Sequence, residues 1–138
     1  MLDTMAPALP YAIASQLQFP QRQVAAIAGD GGFAMLMADL TTAVQSGLPI
    51  KIVVLDNHSL AQVVFEQREA GYGVFGTEIG AIDFAAFARA CGASGFTYRT
   101  RSELSGVIAS VLHTPGPALL HAFVDPPEPT LIPDKVPG

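Results

Sequence analysis

The sequence predicts an α/β domain: a three-layer arrangement in which a parallel sheet carries helices on both faces. Short apolar runs rich in β-branched residues alternate with stretches whose apolar residues recur at helical spacing. The strand-like runs are apolar almost throughout, as strands covered on both faces are, rather than alternating between apolar and polar. Glycine and proline punctuate the changeovers. With 138 residues the chain has the length of one ordinary domain with a sizeable core.

The elements follow in order. Pro10 is placed to open a helix through Tyr11 to about Gln18. Gln23 to Ala28 is a short buried strand that ends at a glycine turn. From Met35 to Ser46, Leu36, Leu40, Ala43 and Val44 fall at helical spacing, and Gly47 stops the helix. Ile50 to Leu55 is the clearest strand, with Asp56 as its polar end. A helix over Leu60 to Glu69 is followed by a loop marked by Gly71, Gly73, Gly76 and Gly80. Asp83 caps a helix from Phe84 to Cys91 that Gly92 ends. Phe96 to Tyr98 is a third strand, Ser102 caps a helix to about His113, and Ala118 to Val124 is a fourth strand. Residues 1–124 thus form the domain. Residues 125–138 hold Pro126, Pro127, Pro129, Pro133 and Pro137 and make an extended tail.

Composition narrows the function classes. Half of the residues are hydrophobic and only 14% are charged, 12 acids against 7 bases. Mean hydropathy is +0.39. So little charge clothes a free surface thinly, so apolar surface is expected to be covered by another chain or segment. A net charge of −5 without a basic stripe argues against nucleic acid as a partner. Cys91 is the sole cysteine, which excludes an internal disulfide and a cysteine metal cluster and fits a reducing cytoplasm. Met1 to Thr4 lacks a basic, then apolar, leader pattern, and no apolar run is long enough to span a bilayer. Cytoplasmic location without membrane association is the expectation.

Two strand ends carry the chemistry. The first strand leads into Gly29-Asp30-Gly31-Gly32, where glycines let backbone N–H groups approach a phosphate and a following helix favours an anion. The spacing to Ala34 also satisfies a dinucleotide fingerprint, with Asp56 as the acid for a ribose. Asp30 opposes that reading, because a carboxylate between the glycines repels a diphosphate unless a cation bridges them. Mg²⁺ suits such a bridge, since it takes oxygen ligands from few protein groups together with phosphates and water. At the second strand end, Asn57 offers an amide oxygen and Ser59 a main-chain carbonyl. The bland alternative is a tight glycine turn beside an ordinary polar strand end.

The stretch GDGGFAMLMADLTTAVQSGLPIKIVVLDN resembles the thiamine diphosphate motif: GDG, an intervening helix and strand, then NN. Asp56 stands where the first Asn usually is, and Asn57 preserves the second. The resemblance covers nearly the whole chain. It is closest to the C-terminal part of pyruvate oxidases and quinone-linked pyruvate dehydrogenase, with acetohydroxyacid synthases further off. It implies that Asp30, Asn57 and the Ser59 carbonyl hold Mg²⁺, and that Gly29, Gly31, Gly32 and Leu60 line the diphosphate of thiamine diphosphate. It places Met5 beneath the bent cofactor, in a segment where Ala6 and Ala8 replace the usual glycines. It also matches Glu66 to an active-site glutamate of pyruvate oxidases, whereas acetohydroxyacid synthases carry a tryptophan there and this chain has none.

The same resemblance implies an N-terminally truncated cofactor domain. The pyrimidine-binding domain with its activating glutamate is not within these 138 residues, so the isolated chain is expected to lack turnover. A homo-oligomer or a separate pyrimidine-domain subunit is the expected partner, and a small 2-oxo acid the substrate of the completed enzyme. A non-catalytic interaction or regulatory module that keeps the fold is the alternative from a different class. Of the histidines, His58 reads as a bystander in the metal turn, His113 as a helix-end cation, and His121 as a packed strand residue.

Overall fold

The computed structural model describes residues 4–125; the proline-rich stretch after Asp125 lies outside them. Four strands, β1 (Ala25–Gly29), β2 (Lys51–Asp56), β3 (Ser94–Thr97) and β4 (Ala118–Phe123), form one sheet in the order β1-β2-β4-β3. All neighbouring strands are parallel, with Ala25 beside Lys51, Lys51 beside Ala118, and Ser94 beside Ala118. Among the described residues six α-helices connect or flank them: α1 (Ala8–Gln18), α2 (Asp30–Leu36), α3 (Leu40–Gln45), α4 (Ala61–Glu69), α5 (Phe84–Ala90) and α6 (Leu104–His113). The predicted α/β class holds.

Strand side chains alternate between faces, so the sheet has two cores. On one face Ala26, Ala28, Ile52, Val54 and Leu119 pack against Leu9, Ala12, Phe33, Leu40, Phe84 and Ala88 of α1, α2, α3 and α5. Alanine at so many of these positions lets the helices lie close to the sheet. Gly95 of β3 is the extreme case: a Cβ there would collide with the carbonyl of Ala85 in α5. On the other face Leu120, Ala122 and Phe96 pack against Leu104, Val107 and Val111 of α6. Because α6 covers β4 and β3, the outer positions of β1 and the carboxyl end of β2 stay open, with Ile27 68% and Leu55 38% exposed.

Several boundaries differ from the sequence reading. The stretch Gly29 to Gly32 is not a loop, because α2 begins at Asp30 with Gly29 as its N-cap residue at an ordinary extended φ of −73°. None of Gly29, Gly31 and Gly32 uses left-handed backbone, and only at Gly31 would a Cβ meet its neighbours too closely. The expected single helix to Ser46 is broken by a 3-10 turn over Met37–Asp39, where Leu36 departs from helical angles. The first helix starts at Ala8, before Pro10, and the third strand ends at Thr97. Ser102 does not cap α6: it lies in a 3-10 turn, Arg101–Glu103, and its hydroxyl pairs with that of Thr100 at 2.9 Å. Asp83 does cap α5, accepting from the N–H of Ala86 at 2.8 Å. Gly47 and Gly92 end their helices in the left-handed region as predicted, at φ 60° and 89°.

Candidate functional site

In open parallel sheets ligands collect beyond the carboxyl ends of strands. Here β1 delivers Gly29 and Asp30 to that rim, and β2 delivers Asp56 and the turn over residues 57–60. A cavity of about 610 Å³ opens there, lined by Met5, Gly29, Asp30, Gly31, Gly32, Asn57, Ser59 and Leu60, with Val124 after β4. The residues expected to hold the metal and the cofactor thus share one cavity, whereas Asp56, His58 and Glu66 do not line it.

Asp30 is buried at the first turn of α2. Its Oδ1 accepts from the N–H of Gly31 at 2.8 Å, while its Oδ2 is buried with no hydrogen-bond partner. Burial raises its pKa, and the nearby Asp56 carboxylate adds to the rise. An orphaned buried carboxylate oxygen is costly, about 1–3 kcal/mol or more, unless something cationic or protic meets it. Asp56 has the opposite balance. Its own burial favours the neutral acid, but hydrogen bonds from His121 and His58 outweigh this and hold its pKa below the ordinary value.

The turn after β2 is built around that second carboxylate. Asp56 Oδ1 accepts from the backbone N–H of His58 at 2.9 Å and lies 3.0 Å from His58 Nδ1. Asp56 Oδ2 lies 2.7 Å from His121 Nε2 on β4. His58 adopts φ 57°, a left-handed conformation costing a non-glycine residue about 1–2 kcal/mol. The loop over residues 76–80 braces the turn from outside: the Ile79 N–H donates to the His58 carbonyl at 2.9 Å, and the Leu60 N–H to the Thr77 carbonyl at 2.8 Å. Asn57 Oδ1 accepts from the N–H of Ser59 at 3.0 Å, which fixes the amide oxygen within the turn.

The apolar wall has its own logic. A Cβ on Gly31 would come within 2.6 Å of Leu60 Cδ2, 2.9 Å of Ile79 Cδ1 and 3.3 Å of Met5 Cε. Glycine at 31 therefore makes room for the Leu60, Ile79 and Met5 side chains that close on this position. Met5 is half-exposed on the cavity rather than packed in the core. Ala6, in one of the positions where the resembled family has glycine, sits at φ 72° and so occupies a conformation that glycine adopts freely.

Two residues behave differently from expectation. The backbone N–H of Leu60 is taken by Thr77, so this residue offers the cavity its side chain and not a phosphate donor. Glu66 is exposed on α4, accepts from Gln62 Nε2 at 3.1 Å, and does not line the cavity. Sequence reasoning also missed His121, read as plain packing. Only its register opposite Val54, two residues before Asp56 on the same face, reveals the pair. Among the described residues no group of three His, Cys, Asp or Glu side chains is arranged to hold a metal. The oxygen donors in the cavity lining are the unpartnered carboxylate oxygen of Asp30, the side-chain amide of Asn57 and the main chain of Ser59. That set suits a hard ion which keeps other oxygen ligands, not a closed zinc site.

Fold and site together define a class: a parallel α/β domain with an oxygen-rich acidic cluster below an apolar cavity at the strand ends. The chain belongs to the family described as thiamine pyrophosphate enzyme, C-terminal TPP binding domain, which matches residues 1–122. It is 41% identical over 130 residues to the YdaP protein of Bacillus subtilis (strain 168), whose name describes it as thiamine pyrophosphate-containing, covering 93% of this chain and 23% of that protein. It is 33% identical to the catabolic acetolactate synthase of Raoultella terrigena, covering 89% of this chain and 22% of that enzyme. Acetolactate synthase isozyme 1 large subunit of Escherichia coli (strain K12) is 32% identical over 92% of this chain and 23% of that subunit. The chain thus spans under a quarter of the length of these relatives.

Proposed function

We propose that the chain binds thiamine diphosphate through Mg²⁺, as one part of a 2-oxo acid-decarboxylating enzyme. In this reading Asp30 Oδ2, the amide oxygen of Asn57 and the carbonyl of Ser59 hold the cation. The observation that carries it is the buried, partnerless Oδ2 of Asp30 in the cavity that Asn57 and Ser59 also line. Gly31 and Gly32, in the first turn of α2, bring backbone close to the diphosphate without a Cβ in the way. Met5, with Leu60 opposite, supports the cofactor body. When bound, the cofactor supplies a carbanion centre and an electron sink for decarboxylation; the residues described here bind, orient and neutralise charge.

A dinucleotide reading fits less well. The Asp56 carboxylate is buried and engaged by His58 and His121, so it has no free edge for a ribose. Within 2-oxo acid chemistry, the lack of tryptophan favours a pyruvate oxidase-type substrate over acetolactate synthesis. On its own this stretch is proposed to bind without turnover, the activating glutamate coming from a pyrimidine-binding domain. The exposed Ile27 and Leu55 on the uncovered sheet face support burial against a second copy or that subunit.

Calorimetric titration tests the reading. Thiamine diphosphate with Mg²⁺ should bind with one-to-one stoichiometry, and chelation of the metal should abolish binding. A response to NAD without metal would transfer the assignment to the dinucleotide class. No response to either would point to a fold retained as an interaction module.

A further inference from the structure

The Mg²⁺ reading uses Asp30, Asn57 and Ser59 and leaves one polar cluster without a task. Asp56 and His121 are both buried, 2% and 3% exposed, and join two adjacent strands. The His121 ring is fixed from two further sides, edge-on to Phe84 at 5.2 Å between centroids and tilted against Phe123 at 4.4 Å. Its Nε2 therefore has one direction in which to act, toward Asp56 Oδ2 at 2.7 Å. The other oxygen of Asp56 grips both the backbone N–H and the ring of His58, the one residue of the ligand-bearing turn held in a left-handed conformation.

From this arrangement we infer that His121 and Asp56 are positioning residues for the cation site: His121 locks the Asp56 carboxylate, and the locked carboxylate holds the turn so that Asn57 and Ser59 face Asp30. The inference rests on the Mg²⁺ reading for its purpose but not for its geometry. Outer partners of this kind aim ligands that they do not themselves replace. Asp56 acts here as a hydrogen-bond acceptor with both oxygens occupied, so it stays out of the cavity that Asp30 lines. The same pairing explains why an acid is tolerated one residue before Asn57, beside a second buried acid.

Three variants separate this role from plain packing. H121L keeps the volume and loses the donor. H121Q places an amide N–H where Nε2 stood. H121N, whose amide is too short to reach Asp56, replaces H121L should that variant fail to fold. Two readouts apply to the full chain well below its melting temperature: calorimetric affinity for thiamine diphosphate with Mg²⁺, and hydrogen exchange of individual amides without ligand.

The expected result is a loss of about 10- to 100-fold in affinity for H121L, or for H121N in its place. H121Q should stay near the parent, and exchange should accelerate at His58 and Ser59 but not in α6. Equal affinity in parent and H121L would overturn the inference, as would an equal loss in H121L and H121Q, which would signify packing alone. Should the parent itself not bind, the Mg²⁺ reading fails, and the exchange data still decide the clamp: selective acceleration in the turn upholds it, and uniform acceleration refutes it.

Discussion

Replacing Asp30 with asparagine should make the empty chain more stable and at the same time useless for metal. The parent holds a buried carboxylate whose Oδ2 meets no donor, with the Asp56 carboxylate nearby. In D30N the amide oxygen can still accept from the Gly31 N–H, and the new NH₂ can face Asp56. Removing an unsatisfied buried acceptor relieves about 1–3 kcal/mol. In a domain of this size that raises Tm by roughly 3–5 °C for each kcal/mol. The pH dependence gives an internal control. Burial raises the folded pKa of Asp30, so the folded chain holds that proton more tightly than the unfolded chain does. The ionised acid therefore costs stability at neutral pH, and the cost vanishes as pH falls below the ordinary carboxylate value. The advantage of D30N should accordingly be full at neutral pH and fade in acid. Asp56, with its lowered pKa, contributes with the opposite sign, and because Asp30 is among the groups that lower it, this contribution also changes in D30N. Circular dichroism melts of the full chain, with and without thiamine diphosphate and Mg²⁺, provide the assay. The parent should gain Tm on adding ligand and D30N should not. A D30N protein that melts no higher than the parent when empty, yet responds to the ligand, would refute the reasoning.

Three further outcomes follow from the same geometry. Ala6→Gly should stabilise the chain by about 0.5–1 kcal/mol in urea titrations, because relief of the left-handed strain at φ 72° exceeds the entropy that glycine adds to the unfolded state. Gly95→Ala should destabilise it by about 3 kcal/mol or more, since the Ala85 carbonyl is backbone and cannot swing aside; a well-folded G95A of parental stability would contradict the close β3–α5 contact. The chain should self-associate in analytical ultracentrifugation at micromolar concentration through the face bearing Ile27 and Leu55, and I27K should shift it toward monomer. Monomeric behaviour of the parent would remove the support for a covering partner there.

Much of this was legible in the sequence because the signals were local. The β-branched run over residues 50–55, the cap at Asp83 and the stops at Gly47 and Gly92 each act within a few residues of chain. The paired strand ends were legible too, since the helix and strand between Gly31 and Asp56 have the length that returns the chain to the same rim. What could not be read depends on contacts across the sheet. The start of α2 at Asp30 was hidden by glycines that resemble a turn but lie in ordinary backbone, of which Gly31 is kept small by Leu60 and Ile79. His121 looked like packing because its partner lies 65 residues away and is reached only through the β2–β4 register. Glu66, placed by resemblance alone, lies on the exposed side of α4. The backbone N–H of Leu60 was claimed by Thr77, a residue in a glycine-marked loop with no readable periodicity.

In the proposed function, one divalent ion joins the two strand ends to a diphosphate. Anomalous diffraction from crystals of the chain grown with thiamine diphosphate and Mn²⁺ tests it most directly. One strong metal peak is expected roughly 2.0–2.3 Å from a carboxylate oxygen of Asp30, the amide oxygen of Asn57 and the carbonyl oxygen of Ser59. A diphosphate seated on the same rim with no metal between it and Asp30, or a metal bound elsewhere, would contradict it.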